Sequence, residues 1–205
     1  MDPSLRQPDV AVAGTAGDDD RTVDEEPPPR WRLDLELVED AGDWRTFGDI
    51  DDLVEAVRRV LSSARELPTQ SPASVAIALS SDAAVRRLNA TYRGKDAATN
   101  VLSFPAADAP ATADTADEPR ALGDVILAAE TVLAEADAAG IPPAHHFQHL
   151  LIHGLLHLIG YDHLADAEAE TMEALETTLL ARLAIADPYS DGATAPRQTS
   201  PMKSR

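Results

Sequence analysis

The feature that most constrains this chain is the run His149-Leu-Leu-Ile-His153-Gly-Leu-Leu-His157-Leu-Ile-Gly160-Tyr-Asp-His163, which falls within the stretch holding all six histidines of the sequence. On a helix, residues four apart lie one turn apart on the same face, so His153 and His157 can present two ring nitrogens to one ion. His163 cannot join them by continuing the helix. Six further residues at 1.5 Å each would carry it ~9 Å along the axis. The chain must turn, and Gly160 stands where a left-handed residue would end the helix and swing His163 back. If all three histidines hold one ion, the expected fold has a helix that stops near residue 160 and a tight return behind it.

Three neutral imidazoles with a fourth position left to water is the donor set of a catalytic zinc, whereas structural zinc sites are closed by four protein ligands, mostly cysteine. The sequence has no cysteine. His153, His157 and His163 are the predicted metal ligands, with one Zn2+ as the predicted cofactor; three imidazoles also suit other divalent transition metals. The spacing HxxxHxxGxxH is shared with metzincin proteases, whose motif reads HExxH and whose glutamate is the general base. Here Gly154 occupies the glutamate's place. His145, His146 and His149 are read as packing or helix-surface residues. Asp162 has three readings: proton acceptor, partner orienting a ligand ring, or simple turn residue.

Around this run the periodicity changes element by element. Trp31, Leu33, Leu35 and Leu37 alternate with Arg32, Asp34 and Glu36, predicting a strand with one wet face. Asp49 is placed to cap a helix carrying Leu53, Val54, Val57 and Leu61. Val75, Ile77 and Leu79 predict a second strand. Ser81 or Asp82 opens another helix, with Val85, Leu88 and Tyr92 on its buried side and Gly94 as its stop. A short strand near Val101–Phe104, a Pro- and Ala-rich acidic loop from Ala106 to Pro119 and a strand over Asp124–Leu127 follow. After a helix ending near Gly140, Pro142-Pro143 opens the histidine helix, proline being tolerated in a first turn. Asp166 starts a last helix reaching about Leu183. Grouped short strands with several helices predict one α+β domain, a mixed β-sheet packed with helices that include a zincin-like metal-binding helix.

The ends differ in composition. Residues 1–30 hold eight acids against three arginines and a Pro27-Pro-Pro29 run, and residues 190–205 are rich in Ser, Thr and Pro; both are expected to be disordered tails flanking a domain over residues 31–189. The loop between Ala106 and Pro119 is long for a compact domain, so it is expected to be disordered or a flap over the site. No stretch approaches the ~18 apolar residues of a membrane span, and the amino terminus lacks the order of a secretory signal. With no cysteine, a cytoplasmic location is expected, with no membrane partner and no nucleotide cofactor.

A second constellation lies in Tyr92-Arg-Gly-Lys-Asp-Ala-Ala-Thr-Asn-Val-Leu-Ser-Phe-Pro105. Arg93 and Lys95 fall in a turn, and an arginine there offers phosphate a planar, always charged fork of donors. The formal net charge of -19 argues against a nucleic-acid protein, because binding to phosphates rests on Lys and Arg contacts. Residues 84–104 run the other way, with Arg86, Arg87, Arg93 and Lys95 against Asp96 alone, a local basic strip that can hold RNA on an acidic molecule.

His153–His163, HGLLHLIGYDH, resembles the signature of the YbeY family of bacterial metal-dependent endoribonucleases, also called rRNA maturation factors. Leu88–Pro105 resembles that family's second signature, LNxxYRxxDxxTDVLSFP, with Asn100 where many members carry aspartate. Gly123-Asp124-Val125-Ile126 is similar to its GDIxI strand and Asp187-Pro188-Tyr189 to a carboxyl-terminal motif of some members, so the likeness covers about residues 31–190. The resemblance implies a single-strand-specific endoribonuclease that uses a metal ion. It implies that Arg93 is a catalytic residue facing RNA beside the metal. It also implies that the partners are small-subunit rRNA and the ribosome, in 3′-end maturation and ribosome quality control. Two other functions fit parts of the pattern: a metallopeptidase, on ligand spacing alone, and a non-enzymatic ribosome-assembly factor in which the metal only stabilises the fold.

Overall fold

Val75, Ile77 and Leu79 bury one face of a strand while Ser74, Ala76 and Ala78 stay half-covered on the other, and this strand lies in the middle of the sheet. The computed structural model describes residues 30–67, 72–106 and 119–190. Its elements run β1 (Leu33–Glu39), a single 3-10 turn (Arg45–Phe47), α1 (Ile50–Ser63), β2 (Ala73–Ser80), α2 (Asp82–Arg93), β3 (Val101–Pro105) and β4 (Arg120–Ala128). They continue with α3 (Ala129–Ala139), α4 (Pro143–Ile159) and α5 (Asp166–Ala181). The strand order is β1-β2-β4-β3. β1 with β2 and β2 with β4 are parallel, and β3 closes the edge antiparallel to β4. The α+β class with a mixed sheet is thus what the chain adopts.

The two faces of the sheet carry different helices. Val101, Val125 and Leu127 belong to the main core with Val54, Val57 and Leu61 of α1 and Phe147, Leu150, Leu151 and Leu155 of α4. Leu102 and Ala128, pointing the opposite way, pack with Val85 of α2, beside Leu88, Phe104 and Ile126. α4 is buried on nearly every side, which its apolar circumference requires. Leu150, Leu151 and Leu156 are fully covered, each contributing roughly 1.5–3 kcal/mol by leaving water. The histidine helix is thereby held as a rigid member of the core, against β3 and β4.

Asp49 caps α1 as anticipated, its carboxylate accepting the Asp52 amide at 3.2 Å. Three expectations need correction. β4 begins at Arg120, not at Asp124. Its pairing with β2 slips between Ser74 and Val75, opposite the glycine at 123 with φ 134°, and that irregularity hides the first half of the strand from an alternation test. Tyr92 is 52% exposed rather than on the buried side of α2, although its ring meets Phe104 edge-on at 5.3 Å. α5 ends at Ala181, two residues short of Leu183. The predicted tails over 1–30 and 190–205 and the predicted loop from Ala106 to Pro119 lie outside the described residues, apart from Arg30, Ala106, Pro119 and Ser190. Among the described residues no helix is long and apolar enough to cross a membrane.

Candidate metal centre

α4 starts with Pro143 at its first turn and stops at Gly160, whose φ of 111° lets its amide reach back to the carbonyls of Leu156 and His157. The Tyr161 amide follows suit, bonding the Leu156 carbonyl at 3.0 Å. This return has two results. The Tyr161 carbonyl meets His157 Nδ1 at 3.0 Å, and the His163 ring comes to 5.0 Å from that of His157 and 5.6 Å from that of His153. The ligand nitrogens of the three histidines all lie within 4.8 Å of one another, forming a group that can hold a metal ion. Among the described residues no other histidine or acid joins that group.

The proton positions follow from the partners. Glu176 Oε1 lies 2.6 Å from His153 Nδ1, and its other oxygen accepts from His149 Nε2 at 3.3 Å and from the Tyr189 hydroxyl. Burial alone would raise the Glu176 carboxyl, yet the His149 and His153 hydrogen bonds outweigh it and hold the group down to about 2. Glu176 is therefore an acceptor, and His153 carries its proton on Nδ1. His157 does the same, since a carbonyl oxygen can only accept. Both Nε2 atoms then present lone pairs, and they face each other at 2.9 Å. Such a contact is repulsive unless a positive charge sits against it.

A proton on His157 does not supply that charge at neutral pH. Burial, with His153 and His163 close by, pushes the His157 imidazole down to about 4, against the smaller raising effects of the Tyr161 carbonyl and Asp162. The third ring adds to the argument, because His163 Nε2 is buried without a hydrogen-bond partner among the described residues. Two lone pairs locked by protons held elsewhere, with an unpartnered ring nitrogen of His163 clustered beside them, fit a divalent cation.

The remaining predicted residues are accounted for in turn. Asp162 Oδ1 accepts the His163 amide at 2.8 Å, so this aspartate shapes the turn that presents His163. His146 is buried and bonded to Glu135 at 2.8 Å, and His149 to Glu176, so both serve packing and support; His145 is half-buried. Arg93 ends α2 next to Gly94, on the helix that covers the other face of the sheet from α4. Burial lowers its guanidinium from the usual value, though an arginine stays charged. In the basic strip, Arg86 is bound by both carboxylate oxygens of Asp96 at 2.6 and 2.8 Å, which neutralises one of the four cations.

The sequence model described as Endoribonuclease YbeY matches residues 42–184 of the chain. The chain belongs to the YbeY endoribonuclease family. A relative named Endoribonuclease YbeY from Bradyrhizobium sp. strain BTAi1 is 46% identical over 157 residues, covering 76% of this chain and 92% of its own. Others of that name are 44% identical over 165 residues, covering 78% and 96%, in Rhizobium meliloti, and 55% identical over 119 residues, covering 58% and 69%, in Rhodopseudomonas palustris strain BisA53. The match spans the whole histidine run of this YbeY-family chain and the arginine turn before β3.

Sequence reasoning missed Glu176. A signal was present: Met172, Leu175 and Leu179 form the buried stripe of α5, and Glu176 lies on that stripe one turn from Met172, fully buried. An acid on an apolar stripe needs donors, and in a YbeY-family chain rich in histidine those donors are imidazoles.

Proposed function

We propose that this protein is a metal-dependent, single-strand-specific endoribonuclease, with His153, His157 and His163 holding one Zn2+ and Arg93 as the catalytic residue that touches the substrate phosphate. The observation that carries the reading is the convergence of three imidazole nitrogens, two with their Nδ1 protons committed to Glu176 and Tyr161. Membership of a family whose relatives are named as endoribonucleases supplies the substrate class. When bound, the cation supplies Lewis acidity to a phosphoryl oxygen and lowers the pKa of its water.

The chain's own residues do the rest. Glu176 fixes the tautomer and rotation of His153, and the Tyr161 carbonyl does so for His157. Asp162 holds the turn that aims His163. Arg93 offers a charged, planar donor pair to phosphate oxygens as charge builds on them. Peptide hydrolysis is disfavoured because a side chain at position 154 would point at the sheet: a Cβ there lies 2.9 Å from Val125 Cγ1 and 3.0 Å from Ser103 Oγ. No glutamate base fits that space.

The substrate proposed is small-subunit rRNA at its 3′ end, with the ribosome as partner, a role in ribosome quality control and a cytoplasmic location. We assign this activity to a domain over residues 31–189. An acidic chain with few available cations will bind bulk RNA weakly, so docking on the ribosome provides the local concentration. The test combines elemental analysis with cleavage of a single-stranded RNA by wild-type protein and by His157→Ala. One equivalent of metal and cleavage, both lost in the variant, is the expected result. Undiminished cleavage by the variant overturns the proposal, and a metal-bound, RNA-inert protein that still sediments with small ribosomal subunits would instead indicate an assembly factor.

A further inference from the structure

The carboxylate behind His153 is itself held from outside the core of the fold. Tyr189 lies five residues beyond the stretch matched by the family's sequence model and eight beyond the end of α5, yet its hydroxyl donates to Glu176 Oε2. The segment that carries it is fastened to α5. Asp187 Oδ1 accepts both the Tyr189 amide at 2.9 Å and the Thr177 hydroxyl at 3.0 Å, and the Ser190 hydroxyl bonds the Asp187 carbonyl at 2.9 Å. The Tyr189 ring stands edge-on to that of His149 at 6.1 Å. Burial and the facing Glu176 carboxylate push the phenol well above its usual range, so it remains a donor.

We infer that Tyr189 is a positioning residue for the metal: through Glu176 it sets the orientation of His153, and so makes metal retention depend on the Asp187-Pro188-Tyr189 strap after α5. The inference rests on the metal-centre reading proposed above. The physical reason lies in the number of donors on each oxygen. Glu176 Oε1 is occupied by His153 at 2.6 Å, whereas Oε2 has Tyr189 and a longer bond from His149 at 3.3 Å. Remove the phenol and Oε2 keeps only the weak partner. The carboxylate is then free to turn about its last bond, and the oxygen serving His153 loses its fixed direction. A ligand ring with a loosened partner binds metal less tightly, and partners of this kind typically alter metal affinity 10- to 100-fold.

The test uses the full chain and Tyr189→Phe, which keeps the ring against His149 and deletes one oxygen. Zn2+ and Co2+ affinities are measured by competition against a chelator, alongside the visible spectrum of the Co2+ form and the Tm of the metal-free protein. Expected are affinity losses on the order of tenfold, a shifted Co2+ spectrum and a modest fall in the metal-free Tm, since one hydrogen bond to a buried carboxylate is lost. A cycle with Glu176→Gln adds a readout that plain packing would not move: in that background Tyr189→Phe should change metal affinity less than about twofold, since the two act in series. Equal affinities of wild type and Tyr189→Phe overturn the inference while leaving the metal centre intact. So does a fall in metal-free Tm with unchanged affinity, which would make the strap a structural clamp only. A wild-type protein that takes up neither metal would sink the metal centre as well.

Discussion

Gly154 of α4 and Val125 of β4 approach so closely that a Cβ built on the glycine would lie 2.9 Å from the valine's Cγ1. Ser103 Oγ, at 3.0 Å from the same point, also donates to the Gly154 carbonyl at 3.0 Å. The glycine is thus where the histidine helix rests on the sheet, and this contact fixes the height of His153 and His157 above it. Gly154→Ala adds a methyl where Val125 is fully buried and stiff about its first torsion. Overpacking of this kind costs about 1–3 kcal/mol, against roughly 1 kcal/mol returned by alanine's better helix propensity. A net loss of up to about 2 kcal/mol is expected in urea unfolding of the metal-free protein. An equal or higher midpoint would show that the helix can lift at no cost.

Metal removal should lower stability in the intact protein and leave His157→Ala unaffected. A ligand that binds only the folded state contributes about 2.7 kcal/mol at a hundredfold excess over its Kd. Differential scanning with and without a chelator should therefore show a Tm drop in wild type and none in the variant. The variant's metal content by elemental analysis should be near zero. A chelator-induced drop that persists in His157→Ala would move the ion to other ligands.

The metal-free protein should also carry an acid sensitivity traceable to His157. Its imidazole is held at about 4 in the folded chain, chiefly by burial, against an ordinary 6.5. Between those values the unfolded chain binds a proton that the folded chain refuses. Stability from this group is therefore full above 6.5 and is lost as pH falls through the window, levelling near 4. Chelator-treated wild type should lose Tm over that interval, and His157→Asn should lose less. Parallel curves for the two proteins would assign the slope to other groups.

Much of this arrangement can be read from residue order because it depends on short-range geometry. The pairing of His153 with His157, the stop at Gly160 and the cap at Asp49 are all settled within one or two turns of chain, and the structure places each where its spacing requires. Glu176 was harder, since its role depends on α5 crossing α4 so that an acid on one helix meets imidazoles 23 and 27 residues earlier. The exposure of Tyr92 is of the same kind. Periodicity assigned it to the inward side of α2, but α2 covers only a small cluster on its face of the sheet, and the Tyr92 ring lies at the rim of that cluster, against Phe104, with about half its surface in water. The first half of β4 stayed hidden for a local reason, the register slip opposite Gly123.

Arg93 is the remaining candidate whose role separates binding from chemistry. It closes α2 beside the left-handed Gly94, and the chain then passes through Lys95–Thr99 into β3, the strand whose Ser103 is bonded to α4. Its anchorage is thus continuous with the histidine helix, although α2 lies on the other face of the sheet. If its guanidinium serves phosphate as charge develops, Arg93→Ala should reduce kcat on single-stranded RNA by on the order of a hundredfold, the loss seen when a charge-stabilising donor is removed. Arg93→Lys should recover little, since an ammonium keeps the charge but not the planar fork. Metal content and the Co2+ spectrum should be unchanged in both. A variant that loses metal together with activity would make Arg93 a structural residue, and one that raises KM alone would make it a binding contact with no part in stabilising the reacting phosphate.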